Sequence, residues 1–315
     1  MAKEVKKRPK KTAAASGRVR KLSKKQARGK AKKEIKTRKP VIGSFRLTGQ
    51  IFKFMAANWK PLGGIVLVYL ILNIIFASGI SNVSTAFTNI KTDLNTAGGH
   101  AFWHAAGGFG SLVATSGSSG SATGSALQSV LFVIESLVII WALRHLMAGQ
   151  PVSVKLAYYK AMTPLIPFLL VIAVIIIQLL PVTVGSLVLA AISTSVFTSS
   201  SIATTASIVA LVLLAAWSLY MVSASVFALY IVTLPETQPR QALRAAKDLV
   251  RFRRLQVLRK VFFLPVFVLL AMAVIIVPLI LWASFLVPYV FYVLSMLAIL
   301  FIHAYLYSLY RSLLG

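Results

Sequence analysis

The sequence predicts an all-α, polytopic membrane protein: a bundle of about six transmembrane helices with interfacial amphipathic helices and a disordered, basic N-terminal tail. Three observations predict it. The chain is 58% hydrophobic, with a mean hydropathy of +0.82, yet carries a net charge of +28. The two properties separate along the chain, because residues 1–40 hold 18 of the 34 Lys and Arg against only Glu4 and Glu34. From about Pro61 onward, apolar runs dominate. They reach the length of about 20 residues that a helix needs to cross roughly 30 Å of hydrocarbon. A charge this high usually points to nucleic acid or anionic surfaces. Here it belongs to a solvated tail ahead of a membrane domain. The chain has no cysteine, which excludes disulfides, thiolate metal sites and cysteine nucleophiles.

The tail, 1–40, is too polar to bury a core. The membrane domain, 41–315, offers six spans at 62–80, 126–147, 165–192, 207–234, 261–286 and 288–310. Helices are expected because every backbone N–H and C=O in lipid must be satisfied within its own segment. Only Val287 separates the last two runs, so Pro278 or Pro288 is expected to help the turn. Orientation follows from the Lys and Arg of the short loops. One set of loops carries Arg144, Lys155 and Lys160, then Arg240, Arg244, Lys247, Arg251, Arg253, Arg254, Arg259 and Lys260, then Arg311. The other set carries only Lys91. Both termini are therefore expected in the cytoplasm. The outer loop 81–125 ends in a Ser, Gly, Ala and Thr tract that reads as a flexible linker.

A threefold repeat is suggested by three short elements ahead of three helix pairs, at about 44–60, 153–162 and 238–260. In the first, Arg46, Lys53 and Lys60 are spaced by seven, opposite an arc of Phe45, Ile51, Phe52, Met55 and Trp59. In the third, Ala242, Leu243, Ala246, Leu249, Val250 and Val257 share one face. Arg240, Arg244, Lys247, Asp248, Arg251 and Arg254 share the other, with Arg253 intruding on the apolar face. Thr237 is the expected N-cap, ahead of Pro239. Each element is expected to lie in the cytoplasmic interface, apolar face to lipid and basic face to anionic head groups.

The stretches 230–236 (YIVTLPE) and 242–250 (ALRAAKDLV), with 149–153 (GQPVS) and the following Ala157 and Tyr158, carry a family resemblance. They resemble the membrane domain found beside some bacterial glycerophosphodiester phosphodiesterases and related six-span domains of unknown function. The resemblance spans roughly 41–315. It implies about six spans, amphipathic helices between pairs and a bacterial-type plasma membrane. In that family the hydrolase activity belongs to a separate soluble barrel, so no catalytic residue transfers.

Few residues suggest chemistry. Glu135 sits near the middle of the second span, where an ionisable group costs about 2.5–3.5 kcal/mol on insertion scales. It is a candidate proton or cation site, paired with His303 on the last span, or a structural carboxyl hydrogen-bonded to a neighbouring helix. Asn73 and Gln178 are expected to act as interhelical hydrogen-bonding residues. His100 and His104 have a zinc-compatible i, i+4 spacing but no third ligand close by. Gly117 and Gly120 around Ser118 and Ser119 match a serine-protease pattern, in a linker where a base and an oxyanion site are lacking. No catalytic residue, metal or cofactor is expected.

Three functional readings follow. The first is a non-enzymatic scaffold or accessory subunit whose basic face, Arg240, Arg244, Lys247, Arg251 and Arg254, meets anionic lipid or a protein partner, a second copy included. The second is a transporter or lipid-handling protein using Glu135. The third is a ribosome-associated biogenesis factor whose tail 1–40 contacts RNA through phosphate; that tail has no aromatic residue for base stacking. The topology is directly testable in this cysteine-free chain. A Gly98→Cys variant should react with a membrane-impermeant thiol reagent from the outside only, and labelling from the cytoplasmic side would overturn the assigned orientation.

Overall fold

Hydrocarbon leaves the six apolar runs one economical solution, and each forms a helix that satisfies its own backbone. The structure, a computed structural model, describes residues 43–77, 122–196, 201–251 and 253–314. The tail 1–40, His100, His104, Ser119 and nearly all of the 81–125 loop lie outside the described residues. The described residues fall in one unit, Ile42–Leu314. Among them there are nine α-helices and no strand. They are α1 (Ser44–Ala57), α2 (Trp59–Ala77), α3 (Ala122–Met147), α4 (Val154–Ala161), α5 (Leu165–Val196), α6 (Ser201–Val232), α7 (Pro239–Val250), α8 (Arg254–Trp282) and α9 (Val287–Leu314). Six of them, α2, α3, α5, α6, α8 and α9, are long and apolar enough to cross a membrane. The chain is a multi-pass integral membrane protein.

The helices fall into three like units: α1–α2–α3, α4–α5–α6 and α7–α8–α9. Each is a short helix followed by an antiparallel pair of spans packed on one another. The units close into a ring. Short helix α4 packs on α3, α7 packs on α6, and α1 packs on α9, each resting on the last span of the preceding unit. The first span of each unit also meets the preceding last span: α5 against α3, α8 against α6 and α2 against α9. Contacts of α9 with both α3 and α6 put the last spans at the centre. The outer spans α5 and α8 expose Ile166, Leu170, Ile177, Leu270 and Val274, the surface that lipid requires. This cyclic order is the expected threefold repeat, now in three dimensions. Repeats in the same orientation imply an axis along the membrane normal.

Small residues make the short helices fit. Ala157 and Ala161 are the buried positions of α4, and Ala242, Ala246 and Val250 are those of α7. In α1 the corresponding residues are Leu47, Thr48 and Ile51. Gly64 allows the close approach of α2 to α4, since a Cβ there would sit 2.8 Å from Val154 Cγ2. The junctions share a turn. Gly149 is left-handed, at φ 75°, and ends α3 with Gln150 N–H donating to His145 O (2.9 Å) and Gly149 N–H to Leu146 O (3.0 Å). Glu236 is left-handed at φ 61° between α6 and α7. A Gln-Pro pair follows soon after each.

The structure corrects several sequence expectations. The apolar faces of α4 and α7 are buried against protein rather than lipid, because alanine stripes favour close helix packing over lipid immersion. The element at 238–260 is two helices, broken at Arg251–Arg253, where the apolar stripe Ala242, Ala246 and Val250 would next need Arg253 or Arg254. Arg254, Val257 and Lys260 therefore belong to the span α8. The first element likewise stops at Ala57, and Trp59 and Lys60 open α2. Phe45 and Phe52 remain exposed, as a lipid-facing arc requires, and their rings meet Phe263 and Phe301 at 5.2 Å; Ile51 of the same arc is instead buried against protein. The N-cap of α7 is Gln238, not Thr237, whose hydroxyl bonds Pro235 O. Pro278 is inside α8; the final turn is made by Ala283 and the 3-10 turn Ser284–Leu286, with Pro288 in the first turn of α9.

Candidate functional site

Glu135 is 1% exposed on α3. Its Oε2 accepts a hydrogen bond from the Tyr158 hydroxyl of α4 at 2.7 Å. That hydroxyl also lies 3.3 Å from the Ile65 carbonyl of α2. Burial, and then the neighbouring Glu135 carboxyl, push the Tyr158 hydroxyl well above the ordinary tyrosine range, so it stays a donor. Tyr69 of α2 lies within electrostatic reach of Glu135, Tyr158 and Tyr292. Tyr292 of α9 donates to Asn73 Oδ1 of α2 at 2.6 Å, so Asn73 is the interhelical hydrogen-bonding residue expected. The polar centre thus ties α2, α3, α4 and α9 together. One of its buried atoms, Glu135 Oε1, has no hydrogen-bond partner.

The expected pairing of Glu135 with His303 does not form. Both ring nitrogens of His303 are engaged elsewhere: Nδ1 with the Tyr230 hydroxyl at 3.2 Å and Nε2 with Ser136 Oγ at 3.1 Å. Ser136 donates its one hydrogen to the Phe132 carbonyl at 2.7 Å. Its oxygen therefore accepts from His303 Nε2–H, and Nδ1 accepts from Tyr230. A neutral, Nε2-protonated imidazole satisfies the whole chain of bonds across α3, α6 and α9. His303 is a packing and hydrogen-bonding residue of the central spans.

The basic end is built from helix C-termini. Arg144, in the last turn of α3, donates to the Thr233 carbonyl (2.7 Å), the Tyr230 carbonyl (3.3 Å) and the Thr233 hydroxyl. It caps α6, whose final carbonyls have no intrahelical donors. Arg311 of α9 donates to Met147 O at 3.0 Å and caps α3 in the same way. The sequence marks these arginines only as orientation signals; their bonding partners are 89 and 164 residues distant.

Burial of Ala242, Ala246 and Val250 against the bundle leaves Arg240, Arg244, Lys247 and Arg251 exposed along α7. Arg254 departs from that row. It opens α8, donates to the Tyr220 hydroxyl at 2.7 Å and lies 5.0 Å from the Tyr220 ring centroid. Three cavities are notable. One of about 770 Å³ is lined by Arg144, His145, Lys160 and the 232–239 turn. One of about 450 Å³ lies among α5, α6, α7 and the start of α8. One of about 230 Å³ is apolar, between Phe52 and Met55 of α1 and spans α8 and α9. Glu135 lines none of the three. Gln178 is not the expected interhelical bridge, because its buried Oε1 has no partner. Among the described residues no group of three or more His, Cys, Asp or Glu side chains is placed to hold a metal ion.

No protein-family model, curated protein or solved structure matches the chain. The site is therefore read from its own chemistry.

The Tyr158–Glu135 bond gives a sharp expectation. Tyr158→Phe leaves a buried carboxyl without its donor and should destabilise the detergent-solubilised protein by about 1–3 kcal/mol. Glu135→Gln keeps an acceptor for Tyr158 and should cost less. Thermal unfolding of the two variants beside the parent protein measures both; a larger loss for Glu135→Gln would show that the carboxyl has a role beyond this bond.

Proposed function

We propose that this protein is a non-enzymatic membrane scaffold or accessory subunit whose basic face gathers anionic lipid in the cytoplasmic leaflet of a plasma membrane. The observation that carries this reading is the docked state of α7. Its alanine stripe is consumed by packing on α6, so Arg240, Arg244, Lys247 and Arg251 form a row fixed to the bundle. A fixed row holds its charges in a set place on the bundle, and each basic residue near an anionic surface contributes about 1 kcal/mol. That attraction fades within a Debye length of roughly 8–10 Å at ordinary salt. The arginine-capped helix ends carry further positive charge at the same end of the molecule.

The transporter reading draws less support. Glu135 is bonded to Tyr158, and it lines none of the three cavities described above. The ribosome reading rests on the tail 1–40, outside the described residues.

The test is lipid retention. Full-length protein purified in mild detergent should carry anionic phospholipid enriched over its share of the source membrane. An Arg240→Gln, Arg244→Gln double variant should lose at least half of that enrichment while keeping its thermal stability. Equal enrichment in both would remove the α7 row as the lipid-gathering face.

A further inference from the structure

The ring of three units creates one cleft three times, between the two spans of a unit and the short helix of the next. The three copies are filled differently. In the first, among α2, α3 and α4, the Tyr158 side chain crosses to Glu135 and Ile65. In the third, among α8, α9 and α1, Phe52, Met55, Phe267 and Phe301 make an apolar lining. The second, among α5, α6 and α7, is neither closed nor apolar. It holds about 450 Å³ and is lined by Gln178 of α5, Trp217 and Tyr220 of α6, Lys247 of α7 and Arg254 of α8.

We propose that this second cleft is a binding site for one anionic glycerophospholipid whose head group carries a hydroxyl, a phosphatidylglycerol-like molecule. The assignment rests on the scaffold reading for the sign of its ligand and goes beyond it by fixing a single site. Three features of the cleft select the ligand.

The first is charge. Lys247 and Arg254 line the same cleft, and the Tyr220 hydroxyl and ring hold the Arg254 guanidinium at its edge. Two cations at one mouth suit a phosphodiester, which an arginine fork and an ammonium both bind well. The second is an unused acceptor. Gln178 Oε1 is buried and has no hydrogen-bond partner. It is a carbonyl oxygen, so it calls for a donor, and a buried acceptor left unmatched costs about 1–3 kcal/mol. A head-group hydroxyl supplies that donor; a doubly ionised phosphate ester or a choline head group does not. The third is the surroundings. Trp217 is 66% exposed, and Ile177, next to Gln178 in sequence, and Leu213, one turn before Trp217, are exposed too, so the cleft opens on the lipid-facing surface. The volume lies within the roughly 300–1,000 Å³ of small-ligand sites.

Native mass spectrometry of the full-length protein tests the site, with phosphatidylglycerol, phosphatidic acid and phosphatidylcholine of matched chains titrated in turn. The parent protein should retain phosphatidylglycerol in preference to both others. Gln178→Leu should weaken phosphatidylglycerol binding roughly three- to tenfold, the worth of one hydrogen bond, and leave phosphatidic acid unchanged. Lys247→Gln should weaken both anionic lipids. Met221→Trp, at an exposed position of the lining, should block the cleft without touching a polar group. Unchanged phosphatidylglycerol binding in Gln178→Leu and Met221→Trp would overturn the site, as would displacement of the lipid by excess soluble glycerol 1-phosphate, which would make the free head group the ligand. The Arg240→Gln, Arg244→Gln variant separates the two ideas. It should reduce total anionic lipid and spare the cleft; loss confined to the cleft variants would defeat the scaffold reading and leave the cleft standing.

Discussion

Close packing of the short helices against the central spans is the constraint on which the rest of the architecture depends. A helix can lie tightly against another only where its side chains are small, and α4 and α7 present alanine at the contact. Docked in that way, each short helix covers the last span of the unit before it, and the three units close on themselves. The basic residues follow passively: with one face of α7 committed to protein, its arginines and lysine have nowhere to go but outward. The same docking brings Tyr158 of α4 to Glu135 and leaves a cleft beside α7.

The polar groups inside the bundle are best understood as ties between units. In hydrocarbon no water completes an unfinished hydrogen bond, so an orphaned group is costly and a satisfied one is specific. Tyr292 with Asn73, Tyr158 with Glu135, and the chain from Tyr230 through His303 and Ser136 to Phe132 each cross between helices. Arg144 and Arg311 do the same work at the basic end by finishing the last turns of neighbouring helices. These ties explain why a chain with so few polar side chains in its spans places them at single helical positions rather than in a lined channel.

Much of the fold was legible in the sequence because length and hydropathy act locally. The six spans came from apolar runs alone, and the short elements from periodicity within about 20 residues. The error lay in which partner the apolar faces meet. Periodicity reports that Ala242, Ala246 and Val250 share a face, and it is silent on whether lipid or protein covers it; the small size of those side chains was the signal for protein. The break at Arg251–Arg253 was visible in the same stripe, since the next positions on it are arginines. Glu135 stood out as a lone carboxyl in a span, but its donor, Tyr158, sits in a different element, and nothing local joins them. The partners of His303 are no more local, since Tyr230 and Ser136 are 73 and 167 residues away.

The ring closure is the claim that the account depends on most, and the contact of α1 with α8 and α9 is where it closes. Phe45 of α1 meets Phe263 of α8 with ring centroids 5.2 Å apart. The chain lacks cysteine, so a Phe45→Cys, Phe263→Cys variant can be treated with a short bismaleimide in membranes without background. Efficient cross-linking within one chain is expected, seen as a faster-migrating monomer that neither single variant gives. Cross-linking only between two chains, or none while both cysteines react singly, would contradict it.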